Sequence, residues 1–410
     1  MPSALTPPAR GTRPRNRRAI TIAAAVDLFA RQGYPNVSMG DVAASTNVGA
    51  SAIYRHFRGK ADLLIAAIQT ELQPYTAAVE TAKQRCAAAP DASPQACLDD
   101  ALRALSAAAV EHRKLGVLWQ REARSLAPEE LGEVRAEMRA TTGMLRELVE
   151  AARPDLPSAH AGLLAWCAMG AIVSLGFHNL TLPRDALVEL LTDIASTIVS
   201  AELAASPENG AGTPPRTASR SGGREGRAHD LTRRQEILAT AVHLFADRGF
   251  GTVTVDEIGE AVGIAGPSLY GHFENKQQIL AEAMAEGSHR LHRVVERVRT
   301  ESQDPAAALA FLIDSYIDEA LGDRFLLRVV LSDMDALEPE ERAKVRSMQR
   351  DYIDAWSAFY GAVTGEETVR ARIRVQAVLL LINDAVQTPH LQAVPDLRDA
   401  LRAIAAAVLR

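Results

Sequence analysis

Cysteine is scarce in this chain of 410 residues: Cys86, Cys97 and Cys167 are the whole set. All three fall in the first half and form no metal-like cluster. Neither a thiolate metal site nor a disulfide framework common to the whole chain is expected, and the three read as reduced thiols. Alternating β-branched runs are missing, which argues against a sheet. Missing too are apolar runs near the roughly 20 residues of a membrane span, and no hydrophobic block follows the N-terminal arginines. The expected setting is the cytoplasm, away from any membrane. No Gly-rich phosphate loop follows a strand, no His or Cys pair has metal spacing, and no nucleophile elbow occurs. The adjacent carboxylates Asp99-Asp100 and Glu129-Glu130 point to different helix faces. No catalytic residue, metal or cofactor is expected, so the chain does not read as an enzyme. Acid is absent from residues 1–18, where Arg10, Arg13, Arg15, Arg17 and Arg18 form either a solvated tail or an arm that adds phosphate contacts.

Present instead is a repeat: residues 15–64 recur without a gap at 231–280, a shift of 216. Leu28-Phe29-Ala30 meets Leu244-Phe245-Ala246, Gly33 meets Gly249, Tyr54-x-His56-Phe57 meets Tyr270-x-His272-Phe273, and Lys60 meets Lys276. A polar set copied at copied spacing implies a copied task. The copies differ in charge, +4 over 15–64 against −2 over 231–280, within a total of −6. Between the halves, residues 206–230 are dominated by Pro, Gly, Ser, Thr and Arg and cannot nucleate a core. As a flexible coil this linker spans roughly 25 to 30 Å, enough to let two halves lie side by side.

Each half reads as helix after helix. Ala23, Val26, Leu28 and Phe29 mark an amphipathic first helix that Gly33 ends, and Val242, Leu244, Phe245 and Gly249 repeat it. Ser38 with Asp41, and Thr254 with Glu257, have the spacing of an N-cap and its acidic partner. Turns follow at Thr46-Asn47-Val48 and Val262-Gly263-Ile264, then a third helix carrying Tyr54 or Tyr270, then a long fourth from near Lys60 or Lys276. This is a helix-turn-helix inside a three-helix head. Prolines 90, 94, 128, 154, 157 and 183 segment the rest of the first half, and prolines 305, 339, 389 and 395 the second. The last helices match at a shift of 210, with Leu187, Leu191, Ile194 and Ile198 against Leu397, Leu401, Ile404 and Val408. The expected order is an Arg-rich arm (1–16), head 1 (17–64), body 1 (65–205), linker (206–230), head 2 (231–280) and body 2 (281–410). The fold class is all-α.

Ile53-Tyr54-Arg55-His56-Phe57-Arg58-Gly59-Lys60 and Leu269-Tyr270-Gly271-His272-Phe273-Glu274-Asn275-Lys276, each behind a matching helix and turn, resemble the tetracycline-repressor (TetR/AcrR) family of bacterial regulators. The tandem layout is similar to actinobacterial double-TetR repressors, including those of mce lipid-import operons. The resemblance implies two TetR-like modules packed as an intramolecular pseudo-dimer through their last two helices. It implies phosphate contacts from Ser38, Tyr54, His56 and Lys60, and from Thr254, Tyr270, His272 and Lys276, to which Arg17 and Arg18 would add charge. The tips of the third helices differ at all five positions, Gly49-Ala50-Ser51-Ala52-Ile53 against Ala265-Gly266-Pro267-Ser268-Leu269. Base reading would then rest on Ala50, Ser51, Ala52 and Arg55 in one head and on Gly266, Pro267 and Ser268 in the other, so the heads should prefer different half-sites.

The function expected is that of a sequence-specific regulator of transcription, most simply a repressor, acting on a double-stranded operator that is imperfectly palindromic and joining the nucleoid when bound. The family further implies a small lipophilic effector such as a lipid or acyl-CoA, with a place in lipid metabolism. Candidate lining residues are Trp119, Met144, Trp166 and Phe177 in the first body, and Tyr316, Phe325 and Trp356 in the second, each of which also suits ordinary helical core. Self-association beyond the single chain stays open. The alternative function is a helical adaptor with one or both heads no longer binding DNA.

Overall fold

The computed structural model describes residues 17–47, 49–203, 232–264 and 266–410. The Arg-rich arm, the linker, Val48 and Ala265 lie outside them. Among the described residues every regular element is helical. The first half runs α1 (Arg17–Gln32), α2 (Met39–Thr46), α3 (Ala50–Ile53), α4 (Lys60–Ala87), α5 (Pro94–Glu111), α6 (Leu115–Gln120), α7 (Pro128–Ala152), α8 (Ser158–Val173) and α9 (Arg184–Val199). The second half repeats this order as α10 (Arg233–Arg248), α11 (Val255–Ala261), α12 (Gly266–Leu269), α13 (Lys276–Glu301), α14 (Pro305–Gly322), α15 (Arg324–Ser332), α16 (Pro339–Thr364), α17 (Thr368–Gln387) and α18 (Leu397–Val408). Helix n of one half thus answers helix n+9 of the other.

The boundaries follow from local chemistry. Gly33 and Gly249 take φ of 82° and 80° behind α1 and α10, a region that L side chains rarely enter. Asn47 (φ 53°) and Gly263 (φ 72°) make the turns into α3 and α12. Proline opens α5, α7, α14 and α16, where its missing N–H costs nothing. Pro74, by contrast, sits inside α4. That helix runs unbroken from head 1 into the body, so no break falls at 64/65.

Two sequence expectations fail. Cys86 and Cys97 are joined in a disulfide, with Cα atoms 5.5 Å apart, and only the buried Cys167 is free. The last turn of α4 and the first turn of α5 are brought together by a short loop, a proximity that the cysteine count alone does not reveal. An apolar stretch of membrane-span length also exists, Ser158–Phe177 with mean hydropathy 1.6. It is buried inside the protein, because α8 is covered by α7, α9 and α17 on its several faces.

The halves meet through these helices: α8 packs on α17, and α9 on α18. Small residues let the backbones approach, and a Cβ at Gly170 would lie 3.6 Å from the Leu381 Cα. Arg374 reaches Asp193 across the contact at 2.6 Å, and the Trp166 indole N–H donates to Asp384 at 2.6 Å. The hydrophobic core of head 1 is continuous with that of both bodies. Head 2 has a cluster of its own, closed by Leu326 and Val329 of α15, Leu337, and Val345 of α16.

Candidate nucleic-acid interface

Two tyrosines dominate the exposed large apolar side chains: Tyr54 is 56% and Tyr270 57% exposed. A ring held this far out at equivalent places behind α3 and α12 is not core packing. Phe57 and Phe273, three residues on, are fully buried and anchor the turn. Arg18 and Arg234 stack on those two rings, at 5.4 and 4.0 Å from the centroids. His56, Ser51 and Arg55 are exposed, as is Ser268, while His272, Ala52 and Gly266 are half-buried. Arg17 is half-buried with its Nε unpartnered. Ala50 and Pro267 take their places in the backbones of α3 and α12.

The caps are complete in both heads. The Ser38 hydroxyl accepts from the Asp41 N–H at 3.1 Å and donates to the Asp41 carboxylate at 2.7 Å, and the Ser38 N–H donates back at 2.8 Å. Thr254 and Glu257 repeat the box. These bonds hold the Asp41 carboxyl below its ordinary pKa, and Glu257, bonded foremost to Arg248 and then to the Thr254 cap, falls to about 2. Since each hydroxyl proton is given to its own cap partner, what α2 and α11 offer an anion is the row of free first-turn N–H groups.

Lys60 and Lys276 are both turned toward their own heads. Lys60 Nζ lies 4.1 Å from the Tyr34 ring centroid and 3.4 Å from the Pro35 carbonyl. Lys276 Nζ lies 4.3 Å from the Phe250 ring and donates to the Phe250 and Val253 carbonyls at 2.6 and 2.7 Å. Burial lowers both ammonium pKa values. These lysines brace the turn after α1 and α10 at the same time as they place charge beside it.

Sequence reasoning missed the segment that grips head 1. Glu122, 2% exposed, accepts the Tyr34 N–H at 2.5 Å and pairs with Arg121. Arg121 donates to the Ala30 carbonyl at 2.9 Å and meets Asp335 of the second half at 3.4 Å. Burial is the main cause that raises the Glu122 pKa. Head 2 has a counterpart, in which the Phe250 N–H donates to Asp333 at 3.4 Å and Arg328 donates to the Ala246 carbonyl at 3.2 Å.

Two of the cavities at the junction of the halves lie beside the contact of α8 with α17. The first, about 250 Å³, sits in body 2 and is closed by Ser174 and Phe177 of the other half. Its polar pole is the Tyr316 hydroxyl, which donates to Asn383 at 2.9 Å, with the buried Tyr352 hydroxyl unpartnered nearby. The second, about 200 Å³, lies between Trp119, Trp166 and Arg124 on one side and Asp384, Gln387 and His390 on the other. Of the expected lining residues, Phe177 and Tyr316 thus reach the first cavity, and Trp119 and Trp166 the second. Trp356 is fully buried behind the first, its ring 6.0 Å from that of Tyr316. Phe325 lies instead against His243 beneath head 2, at 4.0 Å, and Met144 packs on the core and lines neither cavity.

The family described as bacterial regulatory proteins, tetR family, matches residues 22–67 and 237–283. Similar proteins include the HTH-type transcriptional activator FasR of Mycolicibacterium smegmatis, 26% identical over 154 residues, which are 37% of this chain and 70% of that protein. The HTH-type transcriptional repressor KstR2 of Rhodococcus jostii is 25% identical over 153 residues, 37% of this chain and 75% of that protein. Among solved structures, the TetR family transcriptional regulator PfmR from Thermus thermophilus aligns with a TM-score of 0.39 and 24% identity, covering 44% of this chain and 97% of that one. The family's N-terminal region is thus matched twice, once in each helical half, and these two matches support a tandem regulator of the tetR type.

Proposed function

We propose that the chain seats two unlike heads on one operator from a single polypeptide, as an intramolecular pseudo-dimer, and represses transcription until a small lipophilic effector fills the cavity of body 2. The observation that carries the first part is the pair Tyr54 and Tyr270, equally exposed behind tips that differ throughout. In this reading Tyr54, His56 and the first turn of α2, with Tyr270, His272 and the first turn of α11, hold backbone phosphates. Lys60 and Lys276 add charge while bracing the heads, and Arg17 and Arg18 add more to head 1. Ala50, Ser51, Ala52 and Arg55, and Gly266, Pro267 and Ser268, meet bases or respond to groove shape. The exposed Asp256, Glu260 and Glu274 of head 2 replace Gly40, Ala44 and Arg58 of head 1, so head 1 supplies the larger share of affinity. The protein works in the cytoplasm, on the nucleoid.

The effector part rests on the first cavity, whose exposed lining is mostly apolar, with the Tyr316–Asn383 pair and the Glu319 and Asp323 carboxylates among its polar groups. A lipid or the acyl portion of an acyl-CoA fits that chemistry. The test is fluorescence anisotropy on a selected duplex across a salt series, with fatty acids, acyl-CoAs and sterols added in turn. The expected result is a steep fall of affinity with salt and release by at least one ligand class. Salt-independent binding would contradict the DNA reading, and retention with every ligand the effector reading.

A further inference from the structure

The two cavities share four equivalent positions under the repeat, and their linings otherwise differ. A shift of 211 pairs Pro94 with Pro305 and Pro128 with Pro339, and a shift of 210 pairs the starts of α8 and α17. Under these shifts Trp119 answers Val330, Trp166 answers Gln376, and Asp384 and Gln387 answer Ser174 and Phe177. All eight line one cavity or the other. The first cavity exposes mainly apolar surface, with the Glu319 and Asp323 carboxylates in its wall, whereas the second gathers cations and amides beside two indoles.

In the polar corner, three buried N–H donors lack an acceptor: Arg124 Nη1, Gln120 Nε2 and Gln387 Nε2. Gln120 is only 5% exposed. The second arm of the Arg124 fork donates to Gln387 Oε1 at 2.5 Å. A guanidinium can only donate, so the Gln387 oxygen must face it and the amide NH₂ is left over. Arg135 and Arg139 stand at the rim, and no described carboxylate pairs with either. Leaving buried donors empty is costly, and all three belong to residues that line this one cavity, where an acceptor-only group would meet donors and no competing acceptor on those side-chain atoms. Asp384, bound to the Trp166 indole, sets one negative charge beside Arg124 and disfavours a dianion. Trp119, and Trp166 packed edge-on to His390 at 4.9 Å, offer apolar surface beside the donors.

We propose that this corner is a binding site for the carboxylate of a small organic acid, held by Arg124, Gln120 and Gln387 with its hydrocarbon part against Trp119 and Trp166. It exists once per chain, because both halves build it and the residues that answer Arg124 and Gln387 in the repeat are Asp335 and Phe177. Gln120 and Arg124 flank Arg121 and Glu122, so the segment that lines this site is also the one that grips head 1.

The test is calorimetry on the full chain without DNA, using octanoate, 1-octanol and inorganic phosphate as probes. Octanoate is expected to bind one per chain, with octanol and phosphate at least about 10-fold weaker, as the loss of charge-assisted bonds or of apolar contact requires. Arg124→Met should weaken octanoate about 10- to 100-fold. Arg139→Gln, at the exposed rim, should weaken it about 2- to 5-fold with the circular dichroism spectrum intact. Trp119→Phe should reduce the fluorescence change on binding, with the remainder coming from Trp166. Octanoate that does not bind, or octanol or phosphate binding as tightly, would overturn the proposal. So would wild-type octanoate affinity in a folded Arg139→Gln or Arg124→Met chain. None of these outcomes touches the DNA reading, since no DNA is present.

Discussion

Tyr54 and Tyr270 carry the account at the scale of the residue, because their hydroxyls do nothing visible for the fold. Tyr54→Phe and Tyr270→Phe should each leave the melting temperature nearly unchanged, within the roughly 0.5 kcal/mol usual for exposed positions. On operator DNA each should cost about 10-fold if the hydroxyl donates to a phosphate, with the larger loss at Tyr54. Equal losses in a binding titration would contradict the charge-based ranking of the heads. The caps make a separate prediction: Thr254→Ala should cost about 1 kcal/mol on thermal unfolding of head 2. Glu257 sits at about 2 against an ordinary 4.5, so its stabilising effect is complete above pH 4.5. It is lost as the pH falls toward 2, which an acid titration followed by circular dichroism would show. Capping pairs and the copied Tyr, His and Lys were legible in the sequence because their geometry spans three or four residues or recurs at one offset. The Glu122 grip on Tyr34 and the Arg124 bond to Gln387 were not, since the partners lie 88 and 263 residues apart. Nothing local in Arg121-Glu122 or Arg124 distinguishes them from surface charge.

At the scale of the element, proline, glycine and apolar spacing gave the helices their ends, and packing supplied what spacing could not. The all-α reading stands because every proline used to segment the bodies lies in a loop or at the start of a helix. Pro74 departs from that rule within α4. Glycines at helix crossings sort by what they touch. A Cβ at Gly116 would stand 2.2 Å from the Val173 carbonyl oxygen, where backbone must move, whereas at Gly170 the nearest atom is 3.6 Å away. Gly116→Ala should therefore destabilise by roughly 1 to 3 kcal/mol, the range for overpacking. Gly170→Ala should be neutral or slightly stabilising, since alanine favours the helix by about 1 kcal/mol over glycine. Urea denaturation of the two variants checks the order, and a reversed order would mean that α6 does not cross the end of α8 this closely. The apolar run of α8 carries the same lesson. Composition makes it long enough for a membrane, and its neighbours make it the buried centre of a helical core.

Across the whole molecule, the duplication has kept the frame and changed its contents. Both halves contribute their last two helices to one contact, yet head 1 shares its core with both bodies and head 2 does not. Amide hydrogen exchange should therefore protect α1 and α2 longer than α10 and α11, because opening head 1 exposes core common to both halves. Similar protection in both heads would contradict that difference. The cavities extend the asymmetry from the heads to the bodies, since Arg124 and Gln387 of one are answered in the repeat by Asp335 and Phe177. The central claim is that one chain reads one site with two different heads. It is tested most directly by selecting bound sequences from a random duplex library and weighing the complex by native mass spectrometry. The account predicts one chain per duplex and two unequal half-sites about one helical turn, roughly 34 Å, apart. Two equivalent inverted half-sites, or two chains needed for a single site, would contradict it.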